Sequence, residues 1–346
     1  MTSFLVQAAL SNLLISAALA GVAYLVHRQG RYPMVAHVLW VIVLVKLITP
    51  PFFALTLARL PASGPAGPAG AEPGLLASVG LAAGPLLDGV VAGLLATWAI
   101  GSIVVLLASL VRIIRFDRLL RRTSSPVTPQ LQWLAGDVAR ELGMGAAPRL
   151  FVTSARISPM TWWTGGRVRI VLPTTLPGEL EVDQLRWVLA HELAHVKRHD
   201  HLVRWLEWLA CVAFWWNPVA WFARANLRLD EEAACDALVV QRLDAAPKPY
   251  ARALLAVAEH LARPAVQPPA VATGIDGGGS LERRFRLLLS DRGAQRVPRA
   301  LTAGILGLSL LAMPLGVGIA TEDALDLAGI DRWLADDVQV SSVETA

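Results

Sequence analysis

Residues 191–201 read HELAHVKRHDH and hold His191, Glu192, His195, His199, Asp200 and His201. His191 and His195 are four apart, in a stretch whose apolar residues (Leu185, Val188, Leu189, Leu193, Val196) recur with helical spacing. On a helix, residues four apart lie on one face one turn from each other, so both imidazoles reach a single ion. Glu192 sits beside them and can hold a proton taken from water. This is the H-E-x-x-H pattern, whose chemistry is zinc-assisted peptide hydrolysis. The plain alternative is a solvated, histidine-rich helix face.

Two histidines do not hold a catalytic zinc; a third protein ligand is needed. DEEAACD, residues 230–236, supplies one. Glu232 is the candidate, with Asp236 one turn later. A carboxylate there can accept a hydrogen bond from a ligating imidazole and fix its tautomer. Glu231 is the alternative ligand, but it has no acid four residues on. Asp230 and Glu231 otherwise read as charges on a solvated face. Cys235 reads as a buried thiol pointing away from the site. His199 and His201 read as lying outside the ligand set. Peptide hydrolysis also calls for a second electrophile facing the developing oxyanion. Tyr250, in PYARALLAVA, is the candidate; a tyrosine packed on the core is the alternative.

The elements that must position this chemistry belong to an apolar chain. Of its 346 residues, 55% are hydrophobic and 17% charged, and mean hydropathy is +0.51. A soluble domain carries about 25% charged residues. Four stretches suit a bilayer core, which needs roughly 20 apolar residues: 4–26, 33–58, 89–111 and 301–320. Basic loops follow the first stretch (HRQGR) and the third (RIIRFDRLLRR), and the tail 321–346 is acidic. Lys/Arg-rich loops stay in the cytosol, so both termini are expected outside the plasma (inner) membrane and 112–300 inside. The basic residues sit beside apolar stretches, which fits a membrane flank and not direct nucleic-acid binding. The tryptophan-rich stretch 205–223 reads as one buried or interfacial helix. Lys46, in the second span, reads as snorkelling to its outer end. The two cysteines, Cys211 and Cys235, make no disulfide framework and fit a reducing compartment.

The inside segment is long enough for one packed domain. TPQLQWLAGDVARELG reads as a helix capped by Thr128, with Pro129 in the first turn and Gly143 at the end. Residues 149–154 and 167–173 read as strands, and 226–242 as the helix carrying the acidic ligand. GIDGGGS, residues 274–280, is a break. The expected fold class is therefore α+β: a multi-pass α-helical membrane protein with a cytosolic metallopeptidase domain of helices and a small sheet.

HELAH, followed by RHD, WWNP and EEAACD, resembles the BlaR/MecR-type membrane metallopeptidases. Those are integral-membrane gluzincins acting as beta-lactam sensors and antirepressors. SPMTWW and RIVLP, ahead of the zinc helix, are similar to that family's edge-strand region. The resemblance covers most of the chain: three spans, a peptidase domain and a fourth span. It implies zinc held by His191, His195 and Glu232, Glu192 as base, and Asp236 and Asp200 behind the ligands. It also implies a protein or peptide substrate, such as a transcriptional repressor. The family's sensors carry an outside penicillin-binding domain after the fourth span. The acidic tail 321–346 stands in that place, so a member lacking the sensor domain is expected.

Two other functions compete. One is a non-catalytic transmembrane signalling scaffold with a structural zinc site; the other is a transporter using Lys46, His37 and Asp88. Glu192 argues against the first, because a structural site needs no base and closes with four ligands. The absence of repeat symmetry in the sequence argues against the second. Self-cleavage is expected within 279–292, where RRFRLLL could be accepted by an edge strand and the tether keeps its local concentration high.

Overall fold

A computed structural model describes residues 2–49, 53–60, 75–260, 269, 278–290, 303–305, 307–308 and 315–321. The chain divides into two compact units: 1–15 with 49–98 and 308–346, and 16–48 with 99–307. Two apolar helices begin the chain, α1 (Thr2–Gln29) and α2 (Pro33–Ile48). In the first unit, β1 (Phe53–Leu60) pairs in parallel with β6 (Leu315–Thr321).

This corrects two of the expected spans. The second, 33–58, is helical only to Ile48, and its residues 53–58 are strand. The fourth, 301–320, ends in strand from Leu315. Pro50 and Pro51 lack the donors and the backbone freedom to continue α2. Val317, Ile319 and Thr321 are β-branched and suit a pleated strand. Among the described residues, Ala9–Gln29 and Gly89–Thr123 are long and apolar enough to cross a membrane. The second of these belongs to α3 (Leu75–Thr123), which runs on well past the expected span end at 111.

In the second unit, α2 is largely a packed helix. Trp40, Val43 and Leu44 are fully buried against Ala220, Ala223 and Leu227 of α8 (Pro218–Leu243). The alanines leave room for the larger side chains of α2 to interlock. Lys46, expected to snorkel outward, is buried instead.

A four-stranded sheet supports the candidate site. Its order is β2 (Ser124–Pro126), β3 (Arg149–Thr153), β5 (Arg169–Pro173), β4 (Met160–Trp162), with β3 and β5 parallel and the outer pairs antiparallel. Gly165 and Gly166, at φ +95 and +77, make the turn from β4 into β5. The basic end of α3 is anchored on this sheet. Asp117 accepts from Trp162 Nε1 at 3.0 Å and pairs with Arg169 at 3.2 Å. Phe116 meets the Trp162 ring edge-on, with centroids 5.0 Å apart. The helix α4 (Pro129–Glu141) starts at Thr128, whose Oγ1 accepts from the Leu131 amide, and gives way to Gly143 at φ +73.

The stretch 205–223 is not one helix. It is the end of α7 (Asp200–Ala213), a turn, and the start of α8. Asn217 Oδ1 accepts the Val219 amide at 2.9 Å and Pro218 takes the first helical position, so WWNP opens a new helix. Asn217→Ala is expected to cost about 1 kcal/mol, read as a lowered Tm. An unchanged Tm would mean that the cap does not hold the α8 start.

Candidate metal centre

The helix α6 (Val182–Arg198) carries the histidines. Gln184 Oε1 accepts the Glu181 amide at 3.1 Å and fixes its start. Its apolar face, including Leu189 and Leu193, is buried in the main core with α4, β3 and β5. It ends at His199, whose backbone is left-handed (φ 60, ψ 31). That single reversal starts α7 at once and swings Asp200 back over α6. Helix α8 packs across α6 and brings in Glu232 and Asp236.

Donor atoms of His191, His195 and Glu232 all lie within 4.8 Å of one another, and all three residues are buried. His191 Nε2 is 3.3 Å from Glu232 Oε2, and His195 Nε2 is 3.6 Å from Glu232 Oε1. The opposite ring nitrogens are taken: His191 Nδ1 is 3.1 Å from Asp236 Oδ1, and His195 Nδ1 is 2.9 Å from Asp200 Oδ2. In the neutral ring, which a metal selects, each carboxylate accepts the Nδ1 proton and the Nε2 lone pair faces Glu232. Glu232 Oε1 and Glu192 Oε2 are buried without a hydrogen-bond partner. Such orphaned acceptors are costly, and a cation held by Glu232 and the two imidazoles answers that cost at Glu232. The donor set therefore fits a divalent metal.

Burial works to raise the Glu232 carboxyl, but the charge of Arg284 outweighs it and holds Glu232 at about 2. Burial pushes Glu192 above its ordinary value, against the pull of His195 and His191. Burial disfavours the charged form of His195, yet Cys235, Asp200 and Glu231 raise it well above its usual value. Thr161, in the end strand β4, donates to the Glu192 carbonyl at 3.3 Å and ties the sheet to α6.

Several residues differ from their sequence expectations. Tyr250, on α9 (Pro247–His260), is fully buried. Its hydroxyl donates to Asp236 Oδ1 at 2.7 Å and lies 3.2 Å from His191 Nδ1. That is the side of the ring away from the ligand atoms, so Tyr250 braces Asp236 and does not face an oxyanion. Asp230 and Glu231 are buried, not solvated. Glu231 binds Arg204 at 2.9 Å and approaches His195 from its Nδ1 side at 3.4 Å. Cys235 points toward the site: its Sγ is 3.4 Å from His195 Nδ1, and burial first of all pushes the thiol up to about 12. His199 is the helix-ending residue already described.

The residue that the sequence reading missed is Arg284. It lies on α10 (Gly278–Leu288) and is 1% exposed. Its Nε and Nη2 donate to Asp236 Oδ2 and Oδ1, each at 2.8 Å, and Nη1 lies 3.1 Å from Glu232 Oε2. Helical spacing puts Arg284 on one face with Leu288, which packs on the main core. That pairing was the available signal. The segment expected as an extended cleavage site is thus a docked helix. Cleavage there would require α10 to leave its seat and unwind.

A buried cluster of two imidazoles and a carboxylate on crossing helices, each imidazole backed by a second carboxylate, beside a small mixed sheet, is the architecture of a metallopeptidase. The profile of the BlaR1 peptidase M56 family matches residues 84–288, and the chain belongs to that family. It is 28% identical over 151 residues to the regulatory protein BlaR1 of Bacillus licheniformis, covering 43% of this chain and 24% of that one. It is 32% identical over 76 residues to the methicillin resistance mecR1 protein of Staphylococcus aureus, covering 22% of this chain and 13% of that one. The match thus spans about a quarter or less of these relatives' length. Family membership defines a peptidase domain of metallopeptidase type, and two helices of the chain are long and apolar enough to cross a membrane.

Proposed function

We propose that this chain is a membrane-embedded zinc endopeptidase that hydrolyses peptide bonds of a cytosolic protein, with a transcriptional repressor as the substrate class. The observation that carries the reading is the pair of Nε2 atoms converging on Glu232 while both Nδ1 atoms are held by carboxylates. Two imidazoles and one carboxylate are the ligand set of a catalytic zinc, with one position left open. When bound, zinc supplies Lewis acidity toward water and a peptide carbonyl. Glu192 accepts the proton of the attacking water and passes it to the leaving amine. Asp200 and Asp236 keep the imidazoles oriented. Strand β4, at the sheet's end, lies beside Glu192 through the Thr161 hydrogen bond.

Metal analysis of purified protein tests the ligand set. About one zinc per chain is expected, lost in His191→Ala, His195→Ala and Glu232→Ala. Full retention in Glu232→Ala would remove Glu232 from the set.

The reading also places 112–300 in the cytosol, with the N-terminus and the tail 321–346 outside. Single cysteines introduced at Ser125 and Ser341 test this with a membrane-impermeant thiol reagent on intact cells. Ser341→Cys is expected to react and Ser125→Cys to stay protected. Labelling at 125 would reverse the orientation.

A further inference from the structure

A cavity of about 930 Å³ adjoins the metal cluster, with Asp236 and Arg284, which back His191 and Glu232, in its wall. None of His191, Glu192, His195 or Glu232 lines it. Its walls are the turn joining α1 to α2, one face of α8, the start of α9, and α10. The turn is seated tightly on α10: Gly30 has φ +63, and a Cβ there would sit 2.7 Å from Leu287 Cδ2. Glycine is favoured there by both its positive φ and that approach.

The charge of the lining is one-sided. Arg28 comes from the last turn of α1, Arg31 from the turn that follows, Arg283, Arg284 and Arg286 from α10, and Asp236 is the one acid among the lining residues. Arg284 and Asp236 satisfy each other. Arg283 pairs at 3.2 Å with Asp230, which does not line the cavity, and its buried Nε has no partner. Among the described residues Arg286 pairs with the exposed Glu282, and such pairs count for little. Arg28 and Arg31 are exposed at the end of the apolar helix α1. A volume in the small-ligand range, several guanidiniums and an orphaned guanidinium donor together define an anion site.

We propose that this cavity binds a phosphate-bearing anion and that its source is the headgroup of an anionic phospholipid. Guanidiniums recognise phosphate oxygens through paired, charge-assisted N–H donors. The turn between two apolar helices lies where headgroups lie if α1 crosses the membrane, and basic pockets at such ends hold acidic headgroups. The membrane source rests on the membrane reading above; the phosphate chemistry does not.

The test uses the full chain in nanodiscs of phosphatidylcholine alone or with phosphatidylglycerol added, and in detergent with inorganic phosphate at constant ionic strength. The readout is Tm. Wild type is expected to gain about 4 °C with phosphatidylglycerol. Arg28→Gln/Arg31→Gln should lose most of that gain, while Arg118→Gln/Arg122→Gln, exposed on the basic end of α3, should keep it. A gain with inorganic phosphate in wild type, lost in Arg28→Gln/Arg31→Gln, would support the anion site with a soluble source. No gain with either probe, or an equal loss in both double variants, would overturn the proposal in favour of general surface attraction.

Discussion

Glu192→Gln is expected to keep its zinc and to hydrolyse fluorescent casein at least about 10²-fold more slowly than wild type. The amide matches the carboxylate in size, so the buried pocket stays filled. The three ligand side chains are untouched, and their orientation comes from Asp200 and Asp236, not from Glu192. What disappears is a carboxylate beside the ligands that can take a proton from water without leaving the ligand set. The Glu192 carboxyl is suited to the task, because burial lifts it above its ordinary value and brings it nearer the working pH. Metal content and initial rate, measured on the same preparation, separate the two effects. A variant with full zinc and a rate within threefold of wild type would mean that another group accepts the proton. A variant that loses zinc would mean that Glu192 helps to hold the metal.

The parts of the molecule that could be read in the sequence are those fixed by short-range periodicity. His191 and His195 share a face because a helix repeats every 3.6 residues, and Glu232 and Asp236 follow the same rule on α8. The Thr128 cap and the Gly143 stop are local chemistry. What escaped the sequence depends on partners far along the chain. Arg284 meets Asp236 across 48 positions, and Asp230 meets His27 across 203. No local pattern tells a buried, paired charge from a solvated one, so Asp230 and Glu231 read as charges on a solvated face and Arg284 goes unnoticed. Tyr250 was a similar case: its type suits an electrophile, but its direction is set by Asp236. The break at 214–217 was legible in principle, since Asn-Pro is a helix-start signal, yet the run of apolar residues around it hid the boundary. Strands β1 and β6 were hidden for the same reason, because short apolar runs do not by themselves separate helix from strand.

Arg284→Met is expected to destabilise the metal-free protein by about 3–5 kcal/mol, because it removes one side of a buried charge pair and leaves the other. Methionine replaces most of the alkyl stem, so packing changes little and the loss is electrostatic. Asp236 would lose two hydrogen bonds, and Glu232 would lose the charge that holds it at about 2. In wild type, a carboxyl held that low contributes stability above its unfolded value, and the contribution fades as pH falls toward 2. In the variant the remaining influence led by burial drives Glu232 upward, so protonation relieves the unpaired charge. The stability deficit should therefore shrink as pH is lowered from 7 to 5. Added zinc should recover part of it at pH 7, since a cation among His191, His195 and Glu232 neutralises the same carboxylate. Thermal melts in EDTA and in zinc, at both pH values, read all three effects. An Arg284→Met protein that melts with wild type in EDTA would show that α10 is not held through this pair, and its seat beside the metal cluster would need another cause.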